Sequence, residues 1–214
     1  MKIPMKRLLL MVCCLWPTTA LLHPHSWINL TTDFVIDDQE QLAQVRQRWI
    51  FDEFYSAMML ADLDREYPTR ELALLAHGND MIASLSQHGF FSHLVLAQNQ
   101  HALPSPAEHQ LSVVTTQEAD MLVLEMVFDL SSTPLPVSEL SWQVYDPTYY
   151  VSMRHDDVER IRIHNRSSLE CMPNLIEPNP TEEQMNYASS LDQTQKDTDG
   201  LGRLFAQKVI VQCV

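Results

Sequence analysis

The chain has 214 residues, with 28 acidic side chains against 14 basic ones and a formal net charge of −14. A balance this acidic argues against nucleic acid and anionic lipid headgroups as partners and suits a soluble partner or a cation. The length fits one domain, with enough chain to bury a sizeable core.

The first segment reads as a secretory leader. Lys2, Lys6 and Arg7 make a basic start, Leu8 to Trp16 an apolar run that Pro17 breaks, and Thr18 and Ala20 fit the small-residue positions before a cleavage site. The apolar run is about nine residues, too short for a bilayer span of about 20. The expected organisation is a signal peptide over 1–20 and a single exported domain over 21–214, with a helical insertion at about 53–89 and no membrane insertion once the leader is gone. Cys13 and Cys14 would leave with the leader. Cys171 and Cys213 remain, and in an oxidising compartment a disulfide between them is the default. Closing a loop of about 43 residues corresponds to roughly 4 kcal/mol in the chain-entropy model.

Ser26 to Ile36 alternates, with Ile28, Leu30, Phe34 and Ile36 on one face and His25, Trp27, Asn29, Thr31 and Asp33 on the other. That is a half-buried strand. After a polar turn at Asp37–Glu40, Gln41 to Phe51 returns with Val45, Trp49 and Phe51 in phase, completing a hairpin. From Asp52 to Asp64 the period changes, and Phe54, Met58, Leu60 and Ala61 suggest a short helix. Pro68 is placed to begin a second helix, with a stripe of Leu72, Leu75, Ile82 and Leu85 and an end at Gly89. Strands are then expected over Phe91–Gln98, Gln110–Thr115, Met121–Leu130, Leu140–Tyr145, Tyr149–Met153, Val158–His164 and Val209–Cys213. Pro134 and Pro136 mark a linker. Pro173, Pro178 and Pro180 break the chain before a short polar helix after Asn179 or Thr181. The fold class is α+β: β-sandwich-like antiparallel sheets carrying a helical insertion.

No phosphate-cradling glycine loop, nucleophile elbow or zincin helix occurs, so the chain is not expected to be an enzyme. The histidines near the leader are more suggestive. Cleavage after Ala20 would make His23 the third residue, where an amine, two backbone amides and an imidazole can wrap a square-planar Cu(II) or Ni(II). Cleavage after Leu22 would let the amine and imidazole of His23 chelate together, with His25 two residues on. Pro24 stiffens the link between the two rings. His77 and His88 flank Met81 on one side of the second helix, which makes either a soft-metal face or a partly solvated side; His101 and His109 fall in an expected loop; and His155-Asp156-Asp157 could bind a hard cation or simply form a turn between strands.

Four blocks carry a resemblance: His23-Pro24-His25-Ser26-Trp27-Ile28, Trp49-Ile50-Phe51-Asp52-Glu53-Phe54-Tyr55-Ser56, Tyr145-Asp146-Pro147-Thr148-Tyr149-Tyr150-Val151, and Leu201-Gly202-Arg203-Leu204-Phe205-Ala206 ahead of Val209 and Cys213. In that order they resemble the domain-of-unknown-function family 1007. The resemblance implies a periplasmic location and a link to an uncharacterised ABC-type transport system. It also implies an association with nickel, cobalt or zinc transport. The chain departs from the family pattern where Leu21 and Leu22 separate the small residue from His23. Carrying the blocks over adds Asp52 and Asp146 to His23 and His25 as candidate metal ligands, with helix-capping and turn roles as their alternatives.

The resulting expectation is a periplasmic accessory or substrate-handling component of a transport system that binds a divalent transition metal: Zn, Ni, Co or Cu. Its partner would be a metal permease or ABC-type transporter in the inner membrane. The alternative is an envelope protein that acts through contacts with a transporter and binds no metal.

Overall fold

The computed structural model describes residues 24–133, 135–137, 139–191 and 200–214. The segment read as a leader, His23 and Pro134 lie outside the described residues. Strands β1 (Ser26–Ile36) and β2 (Leu42–Phe51) form the expected antiparallel hairpin, with Leu30 opposite Trp49 and Phe34 opposite Val45. Their alternation places Ile28, Leu30, Phe34 and Ile36 inside, with Val45, Trp49 and Phe51 beside them. Two helices follow, α1 (Glu53–Glu66) and α2 (Arg70–Ser86). Next come β3 (Ser92–Leu96), β4 (Asn99–His101), β5 (Glu108–Thr115), β6 (Asp120–Asp129), β7 (Glu139–Val144), β8 (Val151–Arg154), β9 (Ile161–Asn165) and β10 (Cys171–Ile176). Helices α3 (Glu182–Ser190) and α4 (Leu201–Leu204) precede the last strand, β11 (Lys208–Cys213).

Two sheets result, and the α+β class holds. One runs β5-β6-β2-β1-β8, with β9 also on β1; the other runs β10-β11-β7-β3-β4 and is antiparallel throughout. They face each other across one core, where the ring of Phe34 meets Trp142 edge-on at 6.0 Å. α1 lies against β6 and α2 against β5. The close approach of α2 depends on a missing side chain: a Cβ on Gly78 would sit 3.1 Å from the Cβ of Leu111.

Several expectations are corrected. The first sheet is not purely antiparallel, because β8 pairs in parallel with Ser26–Asn29 and β9 in parallel with Thr32–Ile36. The turn at 155–160 steps the chain forward along one edge of β1 without reversing it, so a single strand takes two short partners. The segment read as one strand from Val158 starts as a 3-10 turn, Val158–Arg160, capped by Asp157. Thr69, not Pro68, opens α2, its hydroxyl accepting the Leu72 N–H. α2 ends before Gly89, at Ser86.

The predicted helical stripes are buried only in part: Leu60 on α1 is buried and Ile82 and Leu85 on α2 pack against the core, but the rest of each stripe faces outward. Phe54 (78% exposed) and Met58 point outward on α1, while Ser56, Leu60 and Leu63 are buried. On α2, Leu72 and Leu75 are exposed, and the buried positions are Ala73 and Gly78. Pro173 does not break the chain. It lies in β10, an edge strand, where a missing N–H leaves no ladder bond unmade on the outer side. His101 and His109 lie in β4 and β5, not in a loop. Cys171 and Cys213 are directly opposed in the β10–β11 pair, with Cα atoms 4.1 Å apart, and form the expected disulfide.

Candidate functional site

The four blocks that carry the resemblance, far apart in the chain, meet at one end of the sandwich. Ser26 begins β1 opposite Val151, and the backbone N–H of His25 donates to the Tyr150 carbonyl at 2.9 Å. The His25 ring lies against the Tyr150 ring, centroids 4.7 Å apart. On the other side of β1, Asp52 directly follows β2 and caps α1. One of its carboxylate oxygens accepts from Ser26 Oγ at 2.6 Å and from the Trp27 N–H at 2.9 Å; the other accepts from the Tyr55 N–H at 2.8 Å. Its own N–H donates to the Trp27 carbonyl at 3.0 Å. Burial works to raise the Asp52 carboxyl, but these bonds from Ser26, Tyr55 and Trp27, with one from Phe54, hold it below the usual aspartate value.

Asp146 organises the third block in the same manner. Its Oδ1 accepts from the N–H and the hydroxyl of Thr148, and its Oδ2 from the N–H groups of Tyr150 and Val151 at 3.0 and 3.1 Å. This carboxylate fixes the turn that delivers β8 to β1. The fourth block packs onto that turn. The Gly202 N–H donates to the Pro147 carbonyl at 3.1 Å, and a Cβ at Gly202 would fall 1.8 Å from the Asp146 carbonyl oxygen. Tyr149 and Phe205 stack at 4.2 Å across the same contact.

Of the predicted ligands, His25, Asp52 and Asp146 are thus linked through one hydrogen-bonded neighbourhood, while His23 lies outside the described residues. Both carboxylates already accept from several donors. Among the described residues, no group of three or more His, Cys, Asp or Glu side chains comes together as a metal cage. The rim is apolar and open: Trp27 is 53% exposed, Phe54 78% and Tyr150 39%.

A polar thread through the core was not anticipated. Trp49 Nε1 donates to Gln47 Oε1 at 3.0 Å, Gln47 Nε2 donates to Thr32 Oγ1 at 2.6 Å, and Thr32 Oγ1 lies 2.8 Å from His155 Nε2. The hydroxyl of Thr32 thus bridges Gln47 and His155 Nε2, while Nδ1 of the ring is buried without a hydrogen-bond partner. The side-chain amide of Gln207 pairs with both backbone groups of His155, at 2.7 and 3.0 Å. Burial lowers the His155 imidazole to about 4, so it is neutral near pH 7. Thr32 and Gln47 stand in phase with the inward residues of their strands, but nothing in the sequence pointed from them to His155. His155 does not gather Asp156 and Asp157 into a cation site. Asp157 caps the 3-10 turn and Asp156 faces Arg160 at 3.7 Å.

A family model described as a protein of unknown function, DUF1007, matches residues 8–213. The chain belongs to this family. An uncharacterised protein of Haemophilus influenzae is 33% identical over 198 residues, covering 91% of this chain and 92% of that protein. DUF1007 membership thus extends across both sheets and all four blocks. Among the described residues, no helix is long and apolar enough to cross a membrane.

Proposed function

We propose that this DUF1007 protein is a periplasmic accessory of a transport system, and that the end of the sandwich where the four blocks meet is its working surface. The convergence of those blocks on the start of β1 is the observation that carries the reading. The Cys171–Cys213 disulfide supports an oxidising compartment. At this surface His25 and the preceding His23 take up one divalent transition ion, Zn, Ni, Co or Cu, whose remaining positions are filled by water or by the transporter that receives it. Asp52 and Asp146 act as the braces that hold His25 in place. The reading is non-enzymatic: the site supplies ligands and a contact face. Calorimetry on mature protein without a histidine tag, titrated with Zn(II), Ni(II) and Cu(II), tests it. One equivalent should bind, acid should weaken binding because a protonated imidazole has no lone pair for the metal, and the double variant His23→Ala/His25→Ala should bind none. Absence of heat with all three ions would refute the metal reading.

The exposure of Trp27, Phe54 and Tyr150 around His25 favours a second reading, in which the same end docks on a transporter without metal. In that case Trp27→Ala and Phe54→Ala should impair transport while the histidine variants do not.

A further inference from the structure

The register of the first sheet gathers three arginines on its outer face. The alternation that turns Leu30 and Phe34 into the core puts Thr31 and Asp33 on the opposite face of β1. Asp33 stands opposite Arg46 on β2, and Thr31 opposite Arg48. Arg48 in turn stands opposite Glu125 on β6. The parallel pairing of β9 sets Arg162 beside Asp33 from the other side. A groove of about 280 Å³ runs among them, lined by Arg46, Arg48 and Arg162 with Thr31, Asp33 and Glu125.

Each guanidinium is anchored, and none is used up. Arg48 Nε donates to Glu125 Oε1 at 3.1 Å, and Arg162 Nε donates to Asp33 Oδ1 at 2.7 Å. Arg46 donates from Nε and Nη2 to the neutral Gln44 Oε1, at 3.3 and 3.0 Å. A guanidinium presents about five N–H donors in a rigid fork. Among the described residues, no hydrogen bond takes up the terminal nitrogens of Arg48 or Arg162, or Nη1 of Arg46, and Arg46 makes no salt bridge. Asp33 is the inner brace: its side chain is only 16% exposed, and its second oxygen lies 3.4 Å from His164 Nε2. Three guanidiniums against two carboxylates leave one positive charge over, in a chain whose formal net charge is −14.

We infer that this groove binds a small molecule through an oxyanion group, a carboxylate or a phosphate. The oxyanion accepts from the unused N–H groups of Arg46, Arg48 and Arg162, while Glu125 and Asp33 keep the forks of Arg48 and Arg162 oriented. A guanidinium already held at Nε loses little further side-chain freedom when its terminal nitrogens bind, so the two ion pairs preorganise the site. The groove's volume lies near the lower end of small-molecule sites, about 300 Å³. Its two carboxylates repel a run of acidic residues, so the occupant is a compact ligand and not an acidic segment of a partner protein. The site lies further along β1 than His25 and stands whether or not a metal binds there.

Inorganic phosphate and succinate are the probes, with the neutral succinamide as control, in calorimetry on the metal-free mature protein at low ionic strength. At least one of the two anions should bind with a Kd of about 1 mM or tighter, and the one preferred names the class of oxyanion; succinamide should not bind. Arg46→Gln leaves both ion pairs in place and should weaken binding about tenfold or more at an unchanged urea midpoint. Arg46→Lys keeps the charge without the fork and should recover only part of the loss. Arg65→Gln on α1 removes the same charge away from the groove and should change nothing. No heat with either anion, unchanged binding in Arg46→Gln, or equal weakening by Arg65→Gln would overturn the proposal. Should Arg46→Gln fail to fold, Arg46→Lys carries the test, and undiminished affinity there would overturn it as well.

Discussion

Asp52 shows how one carboxylate can serve two elements, capping α1 while holding the entry of β1 through Ser26 and Trp27. Asp52→Ala should cost about 1–2 kcal/mol in urea unfolding, since it removes a helix cap and frees the strand start. Asp52→Asn retains much of the cap. If Asp52 were instead a metal ligand, the Asn variant would lose ion affinity at nearly unchanged stability, so calorimetry and unfolding together separate the roles. His155 carries the clearest pH dependence. Its folded value of about 4 lies below the ordinary 6.5, so its contribution is complete above pH 6.5 and is lost as pH falls through that window toward 4. The loss should approach roughly 3 kcal/mol. Urea midpoints at several pH values should therefore decline below pH 6.5, and His155→Gln should be less stable at pH 7 but show a flatter profile there. Little of this was legible in the sequence. His25 was visible because it lies close to the segment read as a leader. The alternative roles named for Asp52 and Asp146, cap and turn, are the geometry found. The thread to His155 joins residues 123 apart, and no local pattern encodes that distance.

At the scale of elements, alternation served the strands well because a pleat puts every second residue on one face, and β1, β2 and β6 each bury that set. Periodicity held for half of the α2 stripe: Ile82 and Leu85 pack against the core, whereas toward the start of the helix Ala73 and Gly78 make the close contact and Leu72 and Leu75 are left outside. β10 was missed because a proline in a central strand would argue against it, and only the assembled sheet shows β10 at an edge. Gly202 is the sharpest test of how elements meet. Any side chain there enters the Asp146 carbonyl, and the clash is with backbone, which cannot swing aside. Gly202→Ala should destabilise by about 1–3 kcal/mol through forced backbone movement. A lowered thermal midpoint, with exchange quickening at Tyr150 and Val151 before the rest of the sheet, is the expected result; an unchanged midpoint would deny that the closing block braces the turn.

For the whole molecule, the disulfide joins the edge strand β10 to β11, closing a span of 42 positions. Reduction, or Cys171→Ser/Cys213→Ser, should lower stability by up to about 4 kcal/mol and expose the second sheet at the β10 end first. Denaturant midpoints with and without reductant measure this. The parallel pairing of β1 reaches further. The strand nearest the N-terminus has its hairpin partner at once, but its other edge is filled only by residues 151–154 and 161–165. During synthesis that edge must stay open until more than half of the remaining chain has been made, because contacts so distant along the chain close late. The last third of the molecule thus acts as a latch: the first sheet cannot close on β1 until residues 151–165 have been made.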